Sequence, residues 1–145
     1  MKYKSTIYIL ALLPVIFFYS CSGTGSLFQK NAEFENRKWL LQSFNYNDVS
    51  NPDEKIFIQF NKDDKKLTGF GGCNTIFGSY SITGSDIKIK PGRTKMICDE
   101  NMLTEDKFMQ LLEVTNEFRE ITSSDKDYLR LLTSSGESIE FRLKK

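Results

Sequence analysis

The covalent chemistry open to this chain rests on three cysteines, Cys21, Cys73 and Cys98, and it must proceed without a single histidine. That absence removes Ser-His-Asp triads, Cys-His pairs, His-ligated zinc or iron, and the usual general base near neutral pH. Carboxylate, lysine, tyrosine and thiol chemistry remain. In an oxidising compartment two cysteines of a small domain pair more often than they react. A bridge from Cys73 to Cys98 would close a loop of about 25 residues and contribute roughly 3 kcal/mol by chain entropy. Two unpaired buried thiols, or a thiol activated by Lys95, are the alternatives. Asp63 and Asp64 sit together at an expected hairpin tip without the further oxygen ligands that calcium needs, so they read as a solvated turn. A carboxylate-based enzyme would need Asp99, Glu100 and Lys95 in one cleft; an acidic helix start accounts more simply for the first two. No catalytic residue, metal ligand or cofactor is assigned.

Cys73 lies in a run of glycines, Gly69-Phe70-Gly71-Gly72-Cys73-Asn74, followed by Gly78 and Tyr80. Such density inside a strand-like stretch predicts a sharp corner or bulge. A phosphate loop does not fit, because no Gly-x-x-x-x-Gly-Lys-Ser/Thr occurs and Gly69-x-Gly71 lacks the third glycine and the following helix. Cys98 ends the run Thr94-Lys95-Met96-Ile97-Cys98. Gly72, Cys73, Asn74, Gly78 and Tyr80, followed by Thr94, Lys95, Met96 and Cys98, resemble the paired motifs of the META domain found in HslJ-like bacterial proteins. The resemblance runs from about residue 36 to 143, with Ile97 where a small residue is more usual. It implies an antiparallel β-barrel carrying one helix, and a family linked to heat shock and novobiocin tolerance.

The N-terminus sets the compartment. Residues 1–20 read as an export signal: Lys2 and Lys4 begin it, and an apolar run from Ile7 to Tyr19 is too short to span a membrane comfortably. Ser20-Cys21 followed by Ser22-Gly23-Thr24-Gly25-Ser26 resembles a lipoprotein site, with Cys21 acylated as the mature N-terminus. An uncleaved anchor with Cys21 incidental is the alternative. Ser22 after the cysteine suits the outer membrane. Residues 21–35 read as a flexible tether and 36–145 as the domain. Loss of Lys2 and Lys4 leaves 18 basic against 19 acidic side chains, a balance that does not point to nucleic acid.

The elements that must position these residues are mostly strands, as expected from twelve phenylalanines and six tyrosines. Strands are predicted over 39–44, 56–60 and 67–70, over the alternating run after the glycine corner, and over 87–90, where Pro91-Gly92 should end the strand. Residues 99–115 form the one predicted helix, with Phe108, Leu111, Leu112 and Thr115 on a core-facing stripe. Strands at 117–122, 128–133 and 138–143 complete the chain. The fold class is therefore mainly β (α+β), a small antiparallel barrel with one packed helix. Phe70, Phe77 and Tyr80 are either pocket-lining or core residues.

The function expected is that of a non-enzymatic, membrane-anchored envelope lipoprotein that binds an envelope protein or an apolar ligand in a stress-tolerance role. A lipidated chaperone or pilot for another envelope protein is the alternative, and it predicts an exposed apolar groove beside the helix.

Overall fold

Period-two alternation of apolar and polar residues drives most of this chain into strands. The structure, a computed structural model, describes residues 33–51, 54–98, 102–122 and 125–145. The expected signal at 1–20, the expected acylation site Cys21, the expected tether up to residue 32, and Asp99 and Glu100 lie outside the described residues. In chain order the elements are β1 (Lys38–Phe44), β2 (Asn47–Asp48), β3 (Phe57–Phe60), β4 (Lys66–Phe70), β5 (Thr75–Thr83), β6 (Asp86–Arg93), α1 (Met102–Val114), β7 (Thr115–Thr122), β8 (Asp127–Thr133) and β9 (Ser138–Leu143). All strand pairings are antiparallel. β1, β3, β4, β5, β6, β7, β8 and β9 follow one another around a barrel that β9 closes by pairing back onto β1, while β2 hangs from the end of β1.

Inward positions carry the aliphatic and aromatic residues that the alternation identified. Leu41, Ile58, Leu67, Ile76, Leu131 and Phe141 join in a single buried cluster. Burying each such side chain contributes about 1.5–3 kcal/mol. The helix supplies a stopper for one end: Phe108, Leu111 and Leu112 are fully buried. The Phe108 ring lies 5.8 Å from that of Phe141 and 6.3 Å from that of Phe44. Thr115, the last residue of the predicted stripe, is buried but begins β7.

The opposite end is closed by residues assigned from sequence to the tether, and here the expectation is corrected. Phe34 is 0% exposed and Glu35 is also buried. The Phe34 ring stands edge-on to Phe60 and Phe118, at 4.9 and 4.8 Å. Trp39 donates its indole N–H to the Phe34 carbonyl (2.8 Å), and the Asn36 amide donates to the Phe60 carbonyl (2.7 Å). The domain thus begins no later than residue 34, because the barrel end would otherwise expose Phe60 and Phe118 to water. Trp39, the one tryptophan, is itself buried in the core.

Pro91-Gly92 does not end β6, contrary to expectation. β6 continues to Arg93, with Pro91 opposite Gly78 and Gly92 opposite Phe77. Since the Thr94 amide donates to the Thr75 carbonyl, the alternation of an antiparallel ladder makes Gly78–Pro91 a non-hydrogen-bonded pair. The missing N–H of Pro91 therefore faces away from β5. On that side β6 pairs with β7 only at Asp86–Glu117, because the residues that would continue the ladder belong to α1. A strand proline is tolerated at such an edge. The connection from β1 to β3 carries structure of its own. It contains β2, and the Asn51 side chain donates to the Leu41 and Ile56 carbonyls while accepting from the Ile56 amide.

Candidate functional site

The motif residues converge at the helix end of the barrel. After β4 the chain turns through Gly71–Asn74, closed by the Gly71 amide donating to the Asn74 carbonyl (2.9 Å), with Gly72 at φ +109°. Only glycine adopts that conformation cheaply. The turn aims its backbone N–H groups at one carboxylate. Glu105 Oε2 accepts from the Cys73 amide (3.1 Å) and the Asn74 amide (2.6 Å). Glu105 Oε1 accepts from Asn74 Nδ2 (2.7 Å) and Arg93 Nη1 (2.9 Å). Glu105 is 1% exposed. Gly71 must be a glycine for the same reason: a Cβ there would lie 2.6 Å from both Cγ and Oε2 of Glu105, a side chain pinned by four hydrogen bonds.

Asn74 is the joint of this clasp. Its Oδ1 accepts from the Thr94 hydroxyl (2.8 Å) and the Met96 amide (2.7 Å), and its Nδ2 also donates to the Met96 carbonyl (3.3 Å). The Thr94 hydroxyl in turn accepts from the Thr75 amide (3.2 Å). One side chain thus binds the glycine corner, the Thr94–Cys98 run and the helix. The Cys73–Cys98 disulfide (Cα–Cα 6.0 Å) crosses the same junction covalently. Arg93 continues the network outward to Asp106 (2.6 Å). The hydrogen bond that Arg93 donates to Asp106 is the main cause that pushes the guanidinium further above its ordinary range. A buried carboxylate is costly unless its acceptor sites are filled, and here they are.

A second polar cluster sits near the other end. Tyr80 points inward from β5, and its hydroxyl donates to Glu35 Oε1, with the Asn61 carbonyl 2.9 Å away. Lys65, held at φ +53°, donates Nζ to the same Glu35 oxygen (2.6 Å). Burial first, and then the hydrogen bond to Glu35, push the Tyr80 phenol far above its ordinary range.

The sequence motif therefore divides. Gly72, Cys73, Asn74, Thr94 and Cys98 meet at the helix end, where they brace the backbone. Gly78 stands opposite Pro91 in the wall, and Tyr80 belongs to the other cluster. Lys95 and Met96 are exposed, although the Met96 backbone is held by Asn74. The pocket role offered for Phe70, Phe77 and Tyr80 is not met. Phe77 faces outward with its ring over Gly92, Phe70 is half-buried, and Tyr80 is engaged by Glu35. Sequence reasoning missed Glu105 as the centre of the clasp. A signal existed: Glu105 precedes Phe108 by three residues and so lies on the buried stripe.

Elsewhere, an open cleft of about 500 Å³ is lined by charged groups that include Glu54, Asp127, Arg142 and Lys144. Glu54 pairs with both Arg142 and Lys144, and Asp127 with Arg37. The Arg142 hydrogen bond holds the Glu54 carboxyl below its ordinary range. Asp64 is paired with Lys66. Among the described residues no group of three His, Cys, Asp or Glu side chains could hold a metal, and no helix is long and apolar enough to cross a membrane.

The META domain matches residues 32–145 of the chain. Two solved structures share the fold at 18% identity. A protein from Burkholderia xenovorans, determined by NMR, aligns with a TM-score of 0.66 over 77% of this chain and 84% of its own. A DUF4847 family protein from Bacteroides vulgatus aligns with a TM-score of 0.55 over 75% of this chain and 93% of its own. No curated protein matches the chain in sequence.

Proposed function

This chain belongs to the META-domain family, and from that premise we propose that it is an envelope lipoprotein, acylated at Cys21, whose domain acts by binding at its surface rather than by catalysis. The observation that carries this reading is the state of the motif. Its buried polar groups, centred on Asn74 and Glu105, are spent on one another, and among the described residues no buried side-chain nitrogen or oxygen lacks a partner. Catalytic side chains usually keep a free face toward the substrate. The interior offers apolar ligands little access, since α1 covers one barrel end and Phe34 the other. Recognition then falls to the outer surface. The disulfide is consistent with an oxidising compartment, and an acyl anchor with more than one chain gives stable attachment.

Membrane fractionation of cells carrying the wild-type or the Cys21→Ala chain tests the anchor. Wild type is expected with the membranes, and the variant is expected to be released. Equal membrane attachment of both would overturn the lipoprotein reading.

A further inference from the structure

Two halves of the barrel wall carry their charge differently. On the outer face of β7, β8 and β9 the arginines are paired: Arg119 with Glu117, Arg130 with Glu140 and Arg142 with Glu54. The outer face of β4, β5 and β6 carries lysines instead. One cross-strand row reads Lys66, Ser79, Lys90, and the next sets Ser81 against Lys88. Strand alternation turns these side chains outward, and all of them are exposed. Among the described residues Lys88 and Lys90 have no carboxylate partner, and two residues apart on one face they repel each other. The nearby acids lie at the margins. Asp64 pairs with Lys66 from the β3–β4 turn, Asp86 begins β6, and Glu113 stands across a groove.

Beside the lysine row lies a ring. Thr68, Phe77 and Gly92 form the neighbouring row, and Phe77 is 50% exposed. A Cβ at position 92 would lie 2.8 Å from Phe77 Cε2, so glycine lets the ring rest on the strand. An aromatic laid over a cross-strand glycine supports the pairing, and it leaves the outer side of the ring open to solvent. At the other margin, where β6 parts from β7, an open groove of about 570 Å³ takes Ser81, Thr83 and Lys88 from this face. Glu113 and Asn116 line its far side.

We infer that the outer face of β4, β5 and β6 binds an anionic glycan. The inference rests on the envelope reading, under which sugar polymers rather than nucleic acid are within reach. Each part of the face matches one part of that ligand. Lys88 and Lys90 complement its negative groups. Thr68, Ser79 and Ser81 both donate and accept, and so match sugar hydroxyls. The open side of Phe77 takes the apolar C–H face of a sugar ring. An anionic bilayer would suit the lysines equally but not the rest. Among the described residues Phe77 is the only large apolar side chain exposed on this face, and it is laid back on Gly92 rather than aimed outward.

The test titrates the full acylated chain, in phosphocholine detergent micelles, with oligogalacturonate and follows binding by calorimetry. A neutral dextran oligosaccharide of equal length is the reference. Wild type is expected to bind the acidic sugar on the order of tenfold more tightly than the neutral one, with the preference shrinking as salt rises. Lys88→Gln with Lys90→Gln should remove that preference, whereas Arg119→Gln on the paired wall should keep it. Phe77→Leu should weaken the binding of both sugars, because the ring contact does not depend on charge. These sites are exposed, and an unchanged far-UV spectrum confirms folding. Equal titrations of the double-lysine variant and wild type would overturn the site. So would polyaspartate binding as tightly as oligogalacturonate, which would make an acidic protein the occupant. Attachment of the Cys21→Ala chain to phosphatidylglycerol vesicles, lost with the two lysines, would make the bilayer the occupant and overturn it as well. The sugar titration needs no anchor, so fractionation of the Cys21→Ala chain judges the lipoprotein reading separately.

Discussion

Glu105 and Glu35 are both buried glutamates that fasten a segment outside the barrel wall onto one of its ends, but their partners differ in kind. Glu105 binds two backbone amides, an asparagine side chain and an arginine, and a disulfide crosses the same junction. Glu35 has the Tyr80 hydroxyl and the half-exposed Lys65, with no covalent link. One glutamate fills donors that could not otherwise be satisfied inside the protein. The other joins groups that water could solvate if the end opened. Burial alone therefore does not rank such sites; the alternative open to each partner does.

Three sets of variants sharpen or break that comparison. Glu105→Ala should cost most, on the order of 3–5 kcal/mol, because it strands the Cys73 and Asn74 amides and the Asn74 side chain. The same substitution at Glu35 should cost about 1–3 kcal/mol, since Lys65 is freed toward solvent. Urea unfolding of both variants measures the gap, and equal losses would break the distinction drawn here. Replacing Cys73 and Cys98 together with serine should cost about 3 kcal/mol by chain entropy. The clasp around Asn74 should survive, so the double variant is expected to keep its near-UV spectrum while its midpoint falls. The smallest effect is expected at Tyr80. Its native phenol holds the proton more tightly than an unfolded tyrosine, which titrates near 10. This contribution is complete below pH about 10 and diminishes as pH rises through the alkaline range toward the native value. Tyr80→Phe should cost about 1 kcal/mol at neutral pH and flatten the decline in stability above pH 10, read from denaturation midpoints across that range.

The helix-end clasp was partly legible from sequence and the other was not, for physical reasons. Cys73, Asn74, Thr94 and Cys98 are residue types with few bland uses at such density beside glycines, and the Phe108, Leu111, Leu112 stripe carries its own period. Glu105 was overlooked because an acidic residue early in a helix already has a sufficient explanation in the helix dipole. Phe34 and Glu35 follow a run of small and polar residues, and nothing local reveals that a barrel end is waiting for them. Their burial is decided by closure between strands distant in sequence. Pro91 misled in the other direction: the rule that proline breaks strands is relaxed at an edge without a partner, and that edge exists only because the chain leaves β6 to form α1.

That closure also has a temporal meaning. Trp39 pairs with Leu143, near opposite ends of the described chain, whereas β4, β5 and β6 meet through short hairpins and the disulfide joins residues 25 apart. Distant pairings bear the larger loop-closure entropy and slow folding. The glycine corner, its cross-link and the helix can thus assemble as a local unit early, while β1 and β9 meet late. Phe34 completes its packing only when Phe118 of β7 reaches it, so the end of the barrel that Phe34 covers also waits on a pairing between distant parts of the chain.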